Sequence, residues 1–534
     1  MVFVSNILKC NNNLINVIDD LSYVLWAESE GLKIDSEELK SLDYVHTNYF
    51  ILLQCIFNLL PDLESDVFHS VGHDDVTSGD KIISFLLGGF RRWDAQYFIH
   101  VAQYGYTYEN TLVFFPLFPF LTHYLSKLLW YLLSTLFSFH SVILLVGVLL
   151  NFTCFILAAT VLYRLGNLVL HDREVSWISA CMFCLNPASV FFSALYSESL
   201  FCLLTLCGLV YVERKMMYTA CIFFGLSAIT RSNGLISSGF VLYAETKTIL
   251  GLLQLSRVKS LVWKMKCLFN WVMSVSLKLV ICFLPFVMFQ LYIWFSFCVS
   301  NDFEHSWPVS VIDIARTKGY KIPKKEGSDW CFHSVPLSYS HVQSSHWDVG
   351  FLRYYQMKQI PNFLLAGPIV MLIIYSAIQY FVKNKDFCMH LGLNSLKFRK
   401  DFKTKEYVFD SAQCFVYMVH ATALTTFCLF CIHVQVTTRI VASSCPILYW
   451  VVASHLVENK LTRAIHEKLS QEVSHKNLDH CALVECSSYT VIGFFTFLKE
   501  QFKNSNALNR LLTLYFVTYF LLGTMLHVNY YPWT

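Results

Sequence analysis

The chain has 534 residues, of which 55% are hydrophobic, 16% aromatic and only 14% charged. Its mean hydropathy of +0.48 excludes a soluble globular protein of this length and predicts an all-α polytopic membrane protein. The formal net charge of +3 and the lack of a basic run interleaved with aromatic residues argue against nucleic-acid binding.

The start of the chain is the least informative part. Residues 1–43 mix acidic and apolar residues without the pattern of a cleaved signal peptide. We treat them as an N-terminal extension of unknown role. Residues 44–534 form the predicted integral-membrane domain.

About 11 apolar stretches are predicted to cross the membrane, which takes about 20 residues per helix. They lie at residues 44–60, 112–137, 142–163, 177–195, 200–212, 217–243, 279–297, 363–381, 415–431, 440–456 and 511–526. The region 177–212 is the least regular, because Asn186-Pro187 interrupts it and 200–212 is short.

The distribution of basic residues predicts the orientation. By the positive-inside rule, the basic loops 245–278 and 383–408 and the charged segment 457–510 face the cytosol. Counting spans from them places three polar segments together on the opposite side. These are the first polar loop (62–110), the second polar loop (301–361) and the turn 433–439. Polar residues beside a bilayer are costly, which makes them functional candidates.

The first polar loop places charge directly before an apolar stretch. Arg91, Arg92, Trp93 and Asp94 precede the span that begins near Leu112. They are predicted to lie at the water–lipid boundary. One interpretation is an interface belt that anchors a helix end. The other is a site where the polar head of a lipid substrate meets catalytic groups.

Metal-ligand residue types also occur in this loop. Without a second cluster, a solvated loop explains His69, His73, Asp74 and Asp75 better than a metal site does. We predict no metal site, and a divalent-metal requirement stays open. Most of the 19 cysteines lie in apolar stretches and are interpreted as small core residues. Cys331, in the second polar loop, is the exception.

A series of motifs in a fixed order resembles one protein family. The motifs are Arg92-Trp93-Asp94-Ala95, Tyr104-Gly105-Tyr106, Phe114-Phe115-Pro116-Leu117-Phe118-Pro119, Asn186-Pro187-Ala188, Tyr196-Ser197-Glu198, Arg231-Ser232-Asn233-Gly234, Val349-Gly350-Phe351-Leu352, Pro361-Asn362-Phe363-Leu364, His433-Val434-Gln435-Val436 and Pro532-Trp533-Thr534. The chain resembles the PIG-V family of glycosylphosphatidylinositol (GPI) mannosyltransferases from about Tyr44 to its C-terminus.

The resemblance implies an enzyme of the endoplasmic-reticulum membrane with the GT-C class of architecture. Such an enzyme transfers mannose from dolichol-phosphate-mannose to a mannosyl-glucosaminyl-phosphatidylinositol precursor. It adds the second mannose in α-1,6 linkage from active-site loops that face the lumen. A β-linked donor and an α-linked product imply a single inverting displacement, with one carboxylate as the base. Protein subunits are not predictable from the sequence.

The resemblance assigns Asp94 as the catalytic base, because GT-C enzymes carry an acidic residue in their first lumenal loop. The structural alternative is a helix N-cap, a position that Asp often fills. Trp93 either stacks on a sugar or seats the loop in the interface. Arg92 either contacts substrate or anchors the loop. Asp348 is a second candidate acid, although the family pattern predicts Asn there.

Five further residues complete the predicted substrate site: Glu198, Arg231, His433, Gln435 and Arg439. Arg231 and Arg439 are candidates for the leaving phosphate, because a guanidinium binds phosphate in bidentate geometry. Arg231 lies inside a span and needs a partner such as Glu198, so a purely structural ion pair is an equal alternative. His433 and Gln435 either hydrogen-bond the acceptor glycan or satisfy their own turn.

Three other functions remain open at this stage. The first is another dolichol-dependent mannosyltransferase, which would use the same donor with a different acceptor. A transporter would also have many spans, a broken helix and intramembrane charge. A non-catalytic scaffold of the same fold would not need Asp94 in its complete motif.

Overall fold

The computed structural model describes residues 50–63, 68, 77–255, 260–299, 307–323, 328–393, 411–458 and 491–531. The predictions for residues 1–43 and for the metal-ligand types at positions 69–75 concern segments outside these ranges. The same holds for residues 394–408 of the predicted basic loop 383–408 and for residues 459–490 of the predicted charged segment 457–510. Within the described ranges, every regular element is a helix.

Twenty helices are described. The first ten are α1 (50–57), α2 (Ser78–Leu87), α3 (Ala95–Tyr104), α4 (Leu117–Leu133), α5 (Phe139–Leu170), α6 (Arg173–Cys184), α7 (Ser189–Ser193), α8 (Glu198–Glu213), α9 (Met217–Ala228) and α10 (Ser238–Leu255). The others are α11 (Leu261–Trp294), α12 (Val309–Lys318), α13 (Ser338–His346), α14 (Ile360–Lys383), α15 (Lys385–Met389), α16 (Cys414–Cys431), α17 (Thr437–Ser444), α18 (Pro446–Glu458), α19 (Val491–Asn504) and α20 (Ala507–Val528).

Five described helices are long and apolar enough to cross a membrane. They are Phe139–Leu170, Leu261–Val299, Met357–Lys383, Cys414–Cys431 and Ala507–Val528. The segments Val434–Ser444 and Pro446–Glu458, which meet at 80°, make a sixth if they are counted as one broken span. A multi-pass membrane protein is therefore supported, but the predicted count of about 11 spans is not confirmed in the described part of the chain.

The predicted span 177–195 is divided. Helix α6 ends at Cys184, and Pro187 lacks the backbone N–H that a continuing helix would need. The Asn186 side chain accepts a hydrogen bond from the N–H of Ala188 at 2.8 Å and so stabilises the turn. The five-residue helix α7 follows. Hydropathy alone does not detect this break, because the flanking residues remain apolar.

The predicted span 217–243 is also divided, and Arg231 lies at the break between α9 and α10. A 3-10 turn, Ser232–Ser237, joins the two helices. A Cβ added at Gly234 would lie 2.6 Å from the backbone N of Ala228. Only glycine allows this turn to approach α9 so closely.

The basic residues predicted to form loop 245–278 are largely helical. Helix α10 continues to Leu255, and α11 begins at Leu261. Lys278 donates to Glu245 at 2.7 Å, which ties the two helices together. The basic stretch is therefore mainly the end of one long helix and the start of the next.

The two polar loops contact each other. Trp330 Nε1 donates to Glu109 Oε1 at 3.0 Å, and the Glu109 N–H donates to the carbonyl of Lys321 at 2.9 Å. Burial acts to raise the pKa of Glu109, but hydrogen bonds, foremost that from His346, and the charge of Lys321 lower it to about 2. A disulfide between Cys298 and Cys331 ties the second loop to the end of α11.

The core of the molecule is built around α5. This helix packs against α4, α6 and α8, and α8 in turn packs against α9. Gly208 makes the α8–α9 approach possible, because a Cβ there would lie 2.4 Å from a ring carbon of the buried Phe224.

Gly208→Ala should therefore destabilise the protein by about 1–3 kcal/mol through overpacking. Thermal unfolding of the detergent-purified chain, followed by size-exclusion fluorescence, measures this change. Gly251→Ala in α10 is the matched control, since a Cβ there meets nothing within 4 Å. Equal melting temperatures for the two variants would contradict the packing argument.

Candidate active site

A cavity of about 1000 Å³ opens between the two polar loops, the turn Ser232–Ser237 and helices α14, α16 and α17. Six of the predicted site residues line it: Trp93, Asp94, Arg231, His433, Gln435 and Arg439. Arg92 and Glu198 do not line it, although Glu198 contacts residues that do. One space thus collects side chains from distant parts of the sequence.

Asp94 stands at the N-terminus of α3 with its side chain 33% exposed. It makes no side-chain capping hydrogen bond, so the helix-cap alternative does not describe this carboxylate. Instead, Oδ2 accepts a hydrogen bond from Arg439 at 2.9 Å. The other oxygen, Oδ1, has no hydrogen-bond partner among the described residues and is available to the cavity.

Arg439 on α17 joins two carboxylates. Its Nη1 contacts Asp94, and its Nε lies 3.7 Å from Glu198 Oε1, beyond hydrogen-bonding distance. The guanidinium also lies over the ring of Phe191 at 5.2 Å. The side chain is only 16% exposed. This burial makes the carboxylate partners necessary.

Glu198 and Arg231 complete a chain of four alternating charges. Glu198 is fully buried at the start of α8, and its Oε1 contacts Arg231 Nη1. The order Asp94–Arg439–Glu198–Arg231 has no net charge, as a cluster in apolar surroundings requires. The pairing of Glu198 with Arg231 agrees with the structural alternative. However, Arg231 also lines the cavity, so the contact does not exclude a role toward substrate.

Tyr196 supports Asp94 from behind. Its hydroxyl accepts a hydrogen bond from the Asp94 N–H at 3.1 Å and donates to the carbonyl of Arg92 at 3.3 Å. His527 Nε2 lies 3.3 Å from the same hydroxyl. The buried tyrosine therefore holds the loop on both sides of Trp93.

Trp93 has a left-handed backbone with φ of 55°, which is strained for a bulky residue. Its ring lines the cavity and makes an edge contact with Tyr530 at 5.8 Å. The indole Nε1 is buried without a described hydrogen-bond partner. A strained residue with an unused donor beside a cavity is typical of a binding site.

Arg92 points away from the cavity. Its Nε donates to the carbonyl of Val528 at 3.1 Å, and its Nη2 pairs with Asp62 at 2.9 Å. The guanidinium also covers the Tyr530 ring at 4.5 Å. These contacts favour the anchoring interpretation, because they attach the first polar loop to the end of α20.

His433 and Gln435 also line the cavity. Gln435 accepts from the Tyr354 hydroxyl at 3.1 Å, and His433 stacks on the Tyr354 ring at 4.5 Å. Burial lowers the pKa of His433, which favours the neutral imidazole. Asn362 donates to Tyr354 at 2.8 Å and also lines the cavity. The contacts of His433 and Gln435 therefore extend beyond their own turn.

Asp348 lies outside the cavity lining. Its side chain is 67% exposed and pairs with Arg353 at 3.2 Å. Its backbone is left-handed, with φ of 50°. Neighbouring Trp347 and Val349 face the cavity instead. This geometry favours Asp94 over Asp348 as the acid that faces a substrate.

Sequence reasoning missed several residues at the site. Tyr196 and Asn362 lay within quoted motifs, so a signal existed for them. Tyr354 and His527 had no such signal, because a Tyr in a polar loop and a His near a helix end are ordinary residues. No group of three or more His, Cys, Asp or Glu among the described residues is arranged to hold a metal ion.

The sequence is similar to known proteins over most of its length. A family model described as Mannosyltransferase (PIG-V) matches residues 44–534. The chain is 37% identical over 494 residues to GPI alpha-1,6-mannosyltransferase 2 of Cricetulus griseus, covering 91% of this chain and 96% of that protein. It is 31% identical over 477 residues to GPI mannosyltransferase 2 of Drosophila melanogaster, covering 86% and 98%.

Two solved structures are similar at low identity. One is the archaeal oligosaccharyltransferase AglB from Archaeoglobus fulgidus, in complex with an inhibitory peptide and a dolichol-phosphate, with a TM-score of 0.36 and 11% identity. The match covers 88% of this chain and 59% of that one. The other is ArnT from Cupriavidus metallidurans bound to undecaprenyl phosphate, with a TM-score of 0.34, 13% identity, and coverage of 91% and 75%.

Glu198→Ala should destabilise the protein by about 3–5 kcal/mol, because it leaves two largely buried arginines without their shared carboxylate. Thermal unfolding of the purified variant measures the loss. Asp348→Ala is the control, since the loss of an exposed ion pair costs about 0–1 kcal/mol. A Glu198→Ala variant that melts with the wild type would show that the four-charge chain does not stabilise the fold.

Proposed function

The chain belongs to the PIG-V family of mannosyltransferases, and from this we propose that it transfers mannose from dolichol-phosphate-mannose to the mannosylated GPI precursor. It is a glycosyltransferase of GPI-anchor biosynthesis. The transfer forms an α-1,6 linkage and adds the second mannose. The reaction takes place at the lumenal face of the endoplasmic-reticulum membrane, within a GT-C type of architecture.

The observation that carries the proposal is the carboxylate of Asp94 at the cavity. One oxygen is fixed by Arg439, and the other has no described partner. A general base needs this combination of a fixed orientation and a free lone pair within reach of a hydroxyl. We assign Asp94 as the base that removes the proton from the acceptor hydroxyl.

The bonds that form and break during mannosyl transfer determine which charged groups the site has to supply. The acceptor oxygen forms a bond to the anomeric carbon of mannose as the bond from that carbon to the phosphate oxygen breaks. The hydroxyl proton goes to Asp94, and the electron pair of the broken bond goes to the leaving phosphate. A phosphate leaves as a stable anion, so the site has to supply positive charge there rather than a second acid.

Arg439 connects these two events. Before transfer, its charge is balanced by Asp94. When Asp94 accepts the proton it becomes neutral, while the phosphate gains one negative charge. Arg439 then loses its ion pair with Asp94 at the step at which the phosphate needs a cation. The total charge of the site stays constant, which limits the cost of charge separation in apolar surroundings.

Two unused donors support phosphate binding by the arginines. The Nε atoms of Arg231 and Arg439 are buried without a described hydrogen-bond partner. Leaving such a donor unpaired costs about 1–3 kcal/mol, and more for a charged group. A phosphate oxygen would satisfy them once the guanidinium groups turn from Glu198 toward the cavity. Both side chains line the cavity, as this role requires.

The polar group around Tyr354 suits the glycan of the acceptor. His433, Gln435 and Asn362 place polar atoms around the Tyr354 hydroxyl. Aromatic rings of Trp93 and Trp347 line the same cavity. Sugars bind through hydrogen bonds to their hydroxyls and through stacking on aromatic faces. We therefore assign His433, Gln435 and Asn362 to the acceptor, and the two arginines to the donor phosphate.

The disulfide supports the proposed orientation. Disulfides persist in oxidising compartments, which include the lumen of the endoplasmic reticulum and exclude the cytosol. The Cys298–Cys331 bond lies at the second polar loop, beside the cavity. The loop was assigned to the non-cytosolic side from the basic residues alone, so the two arguments are independent.

Asp94→Asn should lower mannosyl transfer by about 10²–10⁴-fold, because the amide cannot accept the hydroxyl proton. Microsomes from cells that lack the second GPI mannosyltransferase, complemented with each variant, provide the assay with radiolabelled donor. A GPI-anchored surface marker gives the cellular readout.

Asp348→Asn is the matched control for this substitution and should retain activity, since its carboxylate is exposed and outside the cavity. Equal expression of all variants is checked by immunoblot. Full activity of Asp94→Asn with loss of activity in Asp348→Asn would reverse the assignment of the base. A wild type that fails to restore the marker would reject the proposed acceptor.

Phe332→Asn should become N-glycosylated if the second polar loop faces the lumen. Phe332 is 85% exposed, and the substitution creates an acceptor sequence with Ser334 in the third position. Endoglycosidase-sensitive retardation on a gel reports the modification. The double variant Phe332→Asn/Ser334→Ala controls for the substitution itself. Absence of glycosylation in a stably expressed single variant would oppose the lumenal orientation.

A further inference from the structure

A second cavity, of about 730 Å³, lies at the other end of α20 from the active site. Helices α19 and α20 form most of its wall, with contributions from α1 and the end of α6. Apart from two lysines and Thr513, its lining is apolar or weakly polar, with leucine and phenylalanine side chains such as Leu498, Phe502 and Leu514. The cavity therefore has the character of a pocket for hydrocarbon.

The two lysines give this cavity a charged rim. Lys499 and Lys503 are four residues apart on α19, so they project from the same face of the helix. Both are exposed, and neither forms an ion pair with a described residue. Like charges at this spacing repel each other unless an anion lies between them.

The position of the cavity along the membrane follows from helix geometry. The carbonyl of Val528, at the C-terminal end of α20, accepts the hydrogen bond from Arg92 beside the active site. Thr513 lines the second cavity and precedes Val528 by roughly 22 Å along the helix at 1.5 Å per residue. The lysine rim thus lies at the membrane face opposite the active site. By the proposed orientation, that face is cytosolic.

We propose that this cavity binds an anionic glycerophospholipid, with an acyl chain between α19 and α20 and the headgroup phosphate on Lys499 and Lys503. Arg510 adds a third cation nearby, since its Nη2 donates to the backbone carbonyl of Lys503 at 3.3 Å. Apolar walls with two lysines as the charged lining residues match the two parts of such a lipid. A zwitterionic lipid would bring its own cation against the lysines.

The chain's own segment 459–490 is a poorer match in charge. It contains four basic residues and four acidic residues, so it offers no net negative charge to the lysines. The site is also separate from the mannosyl-transfer chemistry, so the proposal does not depend on the proposed function.

The test uses the full-length chain purified in detergent. Thermal unfolding is followed while phosphatidylinositol, phosphatidylserine or phosphatidylcholine is titrated in. The two anionic lipids should raise the melting temperature, and phosphatidylcholine should not. Glycerophosphoinositol, which has the headgroup without acyl chains, should give no shift. Native mass spectrometry then counts the retained lipid.

Lys499→Gln/Lys503→Gln should weaken binding of the anionic lipids by roughly 30-fold, given the usual contribution of each lysine near anionic lipid. Lys318→Gln/Lys358→Gln removes two exposed lysines elsewhere and should bind like the wild type. Leu514→Trp, which fills the chain cavity, should weaken binding without a change in charge.

Three results would overturn the proposal. An equal shift with phosphatidylcholine would mean that any acyl chain fills the cavity without headgroup selection. Undiminished anionic-lipid binding by Lys499→Gln/Lys503→Gln would place the headgroup elsewhere. No shift with any lipid would leave the cavity to another occupant, the segment 459–490 first.

Discussion

The four alternating charges Asp94, Arg439, Glu198 and Arg231 are the constraint on which the site depends. Charged groups taken out of water are tolerated only when their partners are in place. Each contact therefore fixes two elements relative to each other: the first polar loop to α17, α17 to α8, and α8 to the break before α10. The first polar loop, α17 and the break before α10 line the active-site cavity, and Glu198 of α8 contacts the arginines of the last two. The requirement for electroneutrality in the bundle thus also shapes the space that receives the substrate.

The sequence predicted part of this arrangement. Glu198 and Arg231 are charges within apolar stretches, and the need for a partner was enough to pair them. The contact between Asp94 and Arg439 was not predictable, because 345 positions separate them and neither is isolated in an apolar run. For Arg92, residue type left two roles open, and only the contacts with Val528 and Asp62 favour the anchoring one. Asp348 was attractive by type alone, and its exposure argues against it.

The fold class was predictable from the sequence, but the bounds of the individual membrane spans were less so. Composition identifies a helical membrane protein, because no soluble fold can cover so much apolar surface. Hydropathy averages over a window, however, and misses local breaks. Pro187 and the turn at Gly234 each divide one predicted span, since both act through backbone geometry rather than polarity. The basic stretch 245–278 was predicted as a loop because it separates two apolar stretches. Lys residues favour helices, however, and the helices continue into this stretch.

The attachment of the first polar loop to α20 has a consequence for biogenesis. Arg92 is synthesised 436 residues before Val528, and Tyr196 is synthesised 331 residues before His527. Helices that enter the membrane first must wait for α20 before the loop that carries Asp94 is fixed. Nascent chains released before this helix would leave Arg92 without its acceptor at Val528, and the loop that carries Asp94 would not be attached to the bundle at that point. Synthesis of α20 and assembly of the catalytic centre are thereby coupled in time.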